Sequence, residues 1–171
     1  MARSRIYALV HQGSVIFLLL QGRVRLYRVA DGWEITLNVM GAGPSEVVLM
    51  SRDTFHCLVR DRPKVGLKAT EILSKRLSFC EDRRADIGLK EVPARLAALV
   101  LHLCKSEGVV TGEGYKIPTR YTHQQLGEMV GAKRVAATRA LGKLRRIGAV
   151  EFKQRHIYVK DVKVLQQVAG K

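Results

Sequence analysis

Between Arg23 and Val39 the apolar side chains alternate, first Val24 and Leu26 and then Tyr27 to Val29. After Asp31-Gly32 they resume as Trp33, Ile35, Leu37 and Val39. A period of two puts successive side chains on opposite faces of a strand, and Asp-Gly tolerates the positive φ of a two-residue turn, so this stretch predicts a β-hairpin. An earlier turn at Gln21-Gly22 follows the apolar run Val15 to Leu20. Gly41, Gly43 and Pro44 end the sheet segment, and Val47 to Met50 reads as one more strand.

The period then changes to that of a helix. Ser51 offers an N-cap to a short helix running to about Asp61 and stopped by Pro63. A long helix from about Lys64 to Arg84 follows, with Val65, Ala69, Ile72, Leu73, Leu77 and Cys80 at steps of three and four. Lys68, Lys75, Arg76, Glu81 and Arg83 occupy much of its remaining surface. A stripe of about five turns beside so small a sheet favours a partner helix across a dimer seam over packing within its own domain. Pro93 opens another helix, whose stripe of Leu96, Leu99, Val100, Leu103 and Cys104 ends before Gly108.

The segment from Thr122 to Val150 carries the most information. Thr122 and Gln125 form a capping box, Leu126, Met129 and Val130 face inward, and Gly131 stands where a left-handed residue closes the helix. A second helix starts almost at once, which is helix-turn-helix spacing. Its Ala137, Ala140, Leu141 and Leu144 share one face, leaving Lys133, Arg134, Val135, Thr138, Arg139 and Lys143 on the other. Arginines on an exposed helix face can enter a major groove, where the guanidinium fork matches guanine O6 and N7. After Gly148, Val150 to Lys153 and His156 to Val159 read as two short strands around Gln154-Arg155, a wing whose tip can meet phosphates.

Charge points the same way. The 171 residues carry 30 Lys and Arg against 15 Asp and Glu, a formal +15, and residues 111 to 171 hold 13 basic against 4 acidic groups. A polyanion is therefore the expected partner, bound through the last third of the chain. The three cysteines, Cys57, Cys80 and Cys104, are too far apart for a CxxC site and odd in number, which suggests a reducing cytoplasm. Neither His56 with Cys57 nor His102 with Cys104 has the spacing of a metal site or a nucleophile. No apolar run approaches a membrane span, and the basic start at Arg3 and Arg5 is interrupted by His11, Gln12 and Gly13, so no export signal is expected. No Ser, Cys or carboxylate stands beside a plausible base, so an enzyme is not expected, and no cofactor is.

On these residues the chain resembles the cyclic AMP receptor protein and fumarate-nitrate regulator family. The resemblance rests on Pro93-Ala94-Arg95-Leu96, Thr122-x-x-x-Leu126 with Gly131, Arg134-x-x-x-x-Arg139, Leu141-x-x-Leu144, and Gly148 before the wing. Upstream, Leu20-Gln21-Gly22-Arg23-Val24-Arg25-Leu26-Tyr27 is similar to the family's β-roll hairpin, and Ser51 to Leu77 to its short helix and dimerisation helix. The implied fold is α+β: a truncated antiparallel β-roll (1–62), a long dimerisation helix with its hinge (63–90) and a C-terminal winged helix-turn-helix (91–171). The implied function is a cytoplasmic homodimer that regulates transcription on double-stranded DNA, with RNA polymerase as a further candidate partner. Base contacts fall to Arg134, Val135, Thr138 and Arg139, and phosphate contacts to Thr122, Lys133, Lys143 and Arg155. Two departures matter. Gly43-Pro44 runs straight into Val47 to Met50 where the family has further strands and a phosphate-binding cassette, and a loop is also short between Gly13 and Leu18, so no cyclic nucleotide is expected. Val135 stands where better-known members carry a carboxylate that reads cytosine, and valine offers only an apolar contact, such as to a thymine methyl. Two rival readings are a regulator gated by an unidentified effector and a defective family member that pairs with a full-length relative.

Overall fold

The computed structural model describes residues 15–30, 33–40 and 45–170. The turn expected at Asp31-Gly32, the segment Gly41 to Pro44, the short loop after Gly13 and the basic start lie outside those residues. Four strands open the chain: β1 (Val15–Gln21), β2 (Val24–Ala30), β3 (Trp33–Met40) and β4 (Glu46–Ser51). β2 and β3 pair antiparallel, as alternation and Asp-Gly predict, with Tyr27 opposite Thr36. β1 pairs with β4, so the roll is two separate two-stranded sheets.

Leu20 to Tyr27 is thus a corner between sheets rather than the hairpin that the family resemblance implies. Gly22 takes φ +93 there, and the Ser45 hydroxyl stitches the corner, donating to the Arg23 carbonyl at 2.7 Å and accepting from the Arg23 amide at 2.9 Å.

The Ser51 cap forms as expected, its hydroxyl accepting from the Thr54 amide at 3.0 Å to start α1 (Arg52–Asp61). After Arg62, Pro63 opens α2 (Pro63–Leu89), which runs five residues beyond the expected end at Arg84. Its 27 residues span about 40 Å, and none of them is buried. Leu67, Leu73 and Leu77 are 73%, 63% and 60% exposed.

Burial is concentrated farther along the chain. α3 (Val92–Glu107) buries Leu96, Ala97, Leu99, Val100 and Leu103. It packs on α5 (Arg134–Arg146) and on α6 (Val162–Ala169). A four-stranded sheet closes the unit in the order β5 (Val109–Thr111), β6 (Gly114–Ile117), β8 (His156–Val159), β7 (Val150–Lys153). The expected wing strands are β7 and β8; β5, β6 and α6 are additions that the sequence reading does not contain. Every buried apolar residue among those described, from Leu96 to Ala169, belongs to this C-terminal unit.

Candidate nucleic-acid interface

The interface begins with a cap. Thr122 Oγ1 accepts from the Gln125 amide at 3.1 Å, while the Thr122 amide donates to Gln125 Oε1 at 3.0 Å, fixing the start of α4 (His123–Met129). The chain reverses through Val130 and Gly131, where φ is +64, and the Ala132 amide returns to the Gly127 carbonyl at 2.8 Å. A Cβ on Gly127 would meet the Ala132 carbonyl oxygen at 2.7 Å and the Ala137 methyl at 3.2 Å. Glycine there is what lets α4 and α5 approach, so the helix-turn-helix angle is written into Gly127 and Gly131 together.

α5 buries Ala137, Ala140, Leu141 and Leu144, as its spacing predicts. Arg134, Val135, Thr138 and Arg139 are all exposed, and Lys133 is the N-cap residue. Arg146, which sequence reasoning did not single out, is also exposed and lies seven residues beyond Arg139, on the same stripe of the helix. Lys143 is set apart. Nine residues place it half a turn around from Arg134, and it borders a shallow groove with Leu89, Pro93 and Gly170.

At the wing, Gln154 and Arg155 both adopt positive φ, +51 and +64, the conformation a tight turn between two strands demands. Arg155 is exposed at that turn. Its neighbours Lys153 and Lys160 are engaged by Glu113 at 2.9 and 2.6 Å and by Glu151 at 3.3 Å each. Hydrogen bonds from Lys160 and Lys153 hold the Glu113 carboxyl down to about 2, so Glu113 stays ionised between the two lysines at neutral pH.

Two contacts escape sequence reasoning altogether. His123 Nδ1 lies 3.0 Å from Thr138 Oγ1, joining the start of α4 to the exposed side of α5, and the ring meets Phe152 of the wing edge-on at 5.9 Å. The second is the docking of the β-roll hairpin on α4. Glu128 accepts from the Thr36 amide at 2.9 Å and from Gln124 at 2.6 Å, and Thr36 is fully buried. Arg25 donates to the Thr36 hydroxyl at 3.4 Å, and Arg23 donates to the Arg120 carbonyl at 2.8 Å while lying 6.0 Å from the Tyr121 ring centre. Partial burial pushes the Glu128 carboxyl up, but the Thr36 and Gln124 hydrogen bonds and the Arg25 charge outweigh it, leaving the pKa below its ordinary value. Beneath this contact Glu107 accepts from both Thr119 and Tyr121, and burial together with that carboxylate pushes the Tyr121 phenol far up.

A capped helix pair, a cationic outward face and a two-stranded wing define a winged helix-turn-helix DNA-binding protein. Residues 94–168 match the Crp-like helix-turn-helix domain. The chain is 25% identical over 179 residues to the CRP-like cAMP-activated global transcriptional regulator of Mycobacterium tuberculosis, covering 91% of this chain and 80% of that one. It is 25% identical over 177 residues to the global nitrogen regulator of Synechocystis sp., covering 89% and 79%. In fold it is similar to a mutant of CooA from Carboxydothermus hydrogenoformans, with a TM-score of 0.83 at 20% identity over 96% of this chain and 83% of that one. FixK2 from Bradyrhizobium japonicum superposes with a TM-score of 0.74 at 19% identity, over 91% and 87%. Residues 94–168 are thus a Crp-like helix-turn-helix domain, and along most of its length the chain is similar to transcriptional regulators of the Crp/Fnr family.

Proposed function

We propose that the protein is a homodimeric, sequence-specific regulator that binds palindromic DNA in the cytoplasm without a cyclic nucleotide. One observation carries the reading: α5 sets Arg134, Val135, Thr138 and Arg139 together on an exposed side, beside a capped α4 and a wing that ends in Arg155. In this reading the four α5 residues meet base edges, and Thr122, Lys133, Lys143 and Arg155 hold phosphates. The division into 1–62, 63–90 and 91–171 follows the same logic, with α2 as the seam because its leucines are exposed in the single chain. Only five residues separate β3 from β4, too few for two more strands and a phosphate-binding cassette, which supports a roll without nucleotide. The unpaired Cys57, Cys80 and Cys104 suit a reducing compartment. RNA polymerase remains a candidate partner on family grounds alone.

The test is selection of bound fragments from a random DNA pool, followed by titration of Arg139→Ala on the selected and on scrambled duplexes. A recovered palindrome is expected, and Arg139→Ala should cost about 1 to 3 kcal/mol on the selected duplex and little on the scrambled one. Equal losses on both would make Arg139 a backbone contact. A chain that binds no DNA alone but dimerises with a full-length relative would instead be the defective family member.

A second reading, a regulator gated by a small anionic effector, is favoured by a cavity of about 480 Å³ between α2 and α3. Phe79 stacks on His102 there at 3.6 Å, and Arg95 Nε is buried without a hydrogen-bond partner. Small anions that raise the melting temperature of the wild type but not of Arg95→Gln would support it. A panel that moves neither melting nor DNA affinity would remove it.

A further inference from the structure

Between Arg134 and Arg139 the recognition helix carries Val135, Ala136, Ala137 and Thr138, with neither a carboxylate nor an amide among them. Ala137 is buried and Val135 is 56% exposed, so the two side chains that stand out between the arginines are Val135 and, one turn on, Thr138. Valine can only offer methyl groups. Threonine can offer a hydroxyl or a methyl, and its surroundings decide which.

The Thr138 hydroxyl has one proton, and that proton goes to the Arg134 carbonyl at 2.9 Å. His123 Nδ1, 3.0 Å from the same oxygen, must then be the donor, which selects the tautomer protonated at Nδ1. With its oxygen held by the helix backbone on one side and by α4 on the other, the methyl of the exposed Thr138 is the group left to meet a base edge. Major-groove edges are otherwise donors and acceptors; the one apolar group they present is the C5-methyl of thymine.

Resting on the reading of α5 as the base-contacting helix, we propose that Val135 and Thr138 form a methyl-reading pair. Each half-site carries thymine methyls between the guanines taken by Arg134 and Arg139, and His123 is a positioning residue that keeps the Thr138 hydroxyl out of the groove. The same pair accepts 5-methylcytosine, whose methyl occupies the equivalent place, and distinguishes it from cytosine.

The experiment uses the full chain and the duplex recovered by selection, with each thymine replaced in turn by deoxyuridine, which removes the methyl and nothing else. At one or two positions per half-site the replacement should weaken binding about four- to tenfold, the scale of one buried methyl contact. With cytosine at such a position, 5-methylcytosine should restore binding by a similar factor. Val135→Ala should lose the response to deoxyuridine at one position while keeping the guanine preference. Thr138→Ser, which keeps the hydroxyl bonds, should lose the response at the neighbouring position, and His123→Ala should blunt the same response. Equal affinity for thymine and deoxyuridine at every position of a selected palindrome overturns the methyl-reading pair but leaves base reading by α5 intact. Recovery of no preferred sequence overturns both.

Discussion

The two halves of the molecule solve the problem of burial differently. From Leu96 to Ala169 twenty apolar residues are buried in one continuous core that four helices and a four-stranded sheet enclose. In the roll and the long helix α2 the only buried residue described is Thr36, and it is covered by a side chain of the other half. A core of that kind folds on its own. A pair of two-stranded sheets with a 27-residue helix of exposed leucines does not, because two-stranded ribbons are marginal in water and the helix stripe is uncovered. The C-terminal half is complete in one chain, and in the proposed dimer a second copy completes the N-terminal half.

The largest effect should come from charging the uncovered face. Leu73→Lys places an ammonium in the proposed seam, and sedimentation should then show monomers where the wild type is dimeric. Loss of the second half-site contact should cost on the order of 100-fold or more in affinity for a palindrome. The melting of the C-terminal core should not move, since Leu73 touches none of it. A wild type that is already monomeric at high micromolar concentration would break the comparison at its root.

A core truncation sharpens it from the other side. Leu141→Ala removes a side chain that is 1% exposed and should destabilise the protein by about 2 to 5 kcal/mol at any protein concentration. Leu77→Ala deletes the same atoms from a side chain that is 60% exposed, and its effect should appear only in a concentration-dependent transition. Urea titrations at two concentrations, about a hundredfold apart, separate the two behaviours.

The same division governs what the sequence reveals. The helix-turn-helix is legible because its signals are local: Thr122 with Gln125 in a cap, glycine at φ +64 in the turn, four apolar residues on one face of α5. The wing turn is legible although Gln154 and Arg155 are not the residues that positive φ prefers, because the strands on either side announce it. β5 is missed because three residues, Val109 to Thr111, show no period. α6 is a different case. Asp161 caps it through the Val164 amide at 3.0 Å, and Val162, Leu165, Val168 and Ala169 keep helical spacing, a signal present in the sequence and passed over by a reading that ended at the wing. Gly127 gives no local signal of its own, because what it permits is the close approach of Ala132 and Ala137 in space. The partners Thr36 and Glu128, 92 residues apart, leave no trace in any window of sequence, and neither does the choice of sheet that makes Leu20 to Tyr27 a corner.

The Thr36 contact is where the halves meet, and acid should loosen it. A carboxyl whose folded pKa lies below 4.5 contributes its full share above that value and loses it as pH falls through the lowered one. Docking should therefore be constant near neutral pH and weaken once the pH falls below 4.5 toward the lowered value. The Thr36 amide resonance, followed by NMR from pH 6 to pH 3, should report it. Glu128→Gln, which keeps an acceptor oxygen but cannot titrate, should flatten that curve. An unchanged curve in the variant would assign the acid response to another group.

The smallest effect distinguishes two cations within the C-terminal half. Arg155 sits at the wing turn, whereas Lys143 is half a turn from Arg134 and borders the groove where Leu89 and Pro93 mark the joint between the halves. If both hold phosphates, each truncation to alanine releases one fewer counterion, weakens cognate and scrambled DNA about equally, and lowers the slope of log affinity against log salt by about 0.9. Lys143 also tests where the binding surface ends. A groove side that reached DNA only across the hinge would require the long helix to hold the C-terminal units at a fixed angle, so Lys143→Ala should lose its effect in the monomeric Leu73→Lys background while Arg155→Ala keeps it. Titrations of the two single and two double variants at several salt concentrations read this directly. A Lys143 slope change that persists in the monomer would place that lysine with Arg155, on the part of the surface that the C-terminal half builds alone.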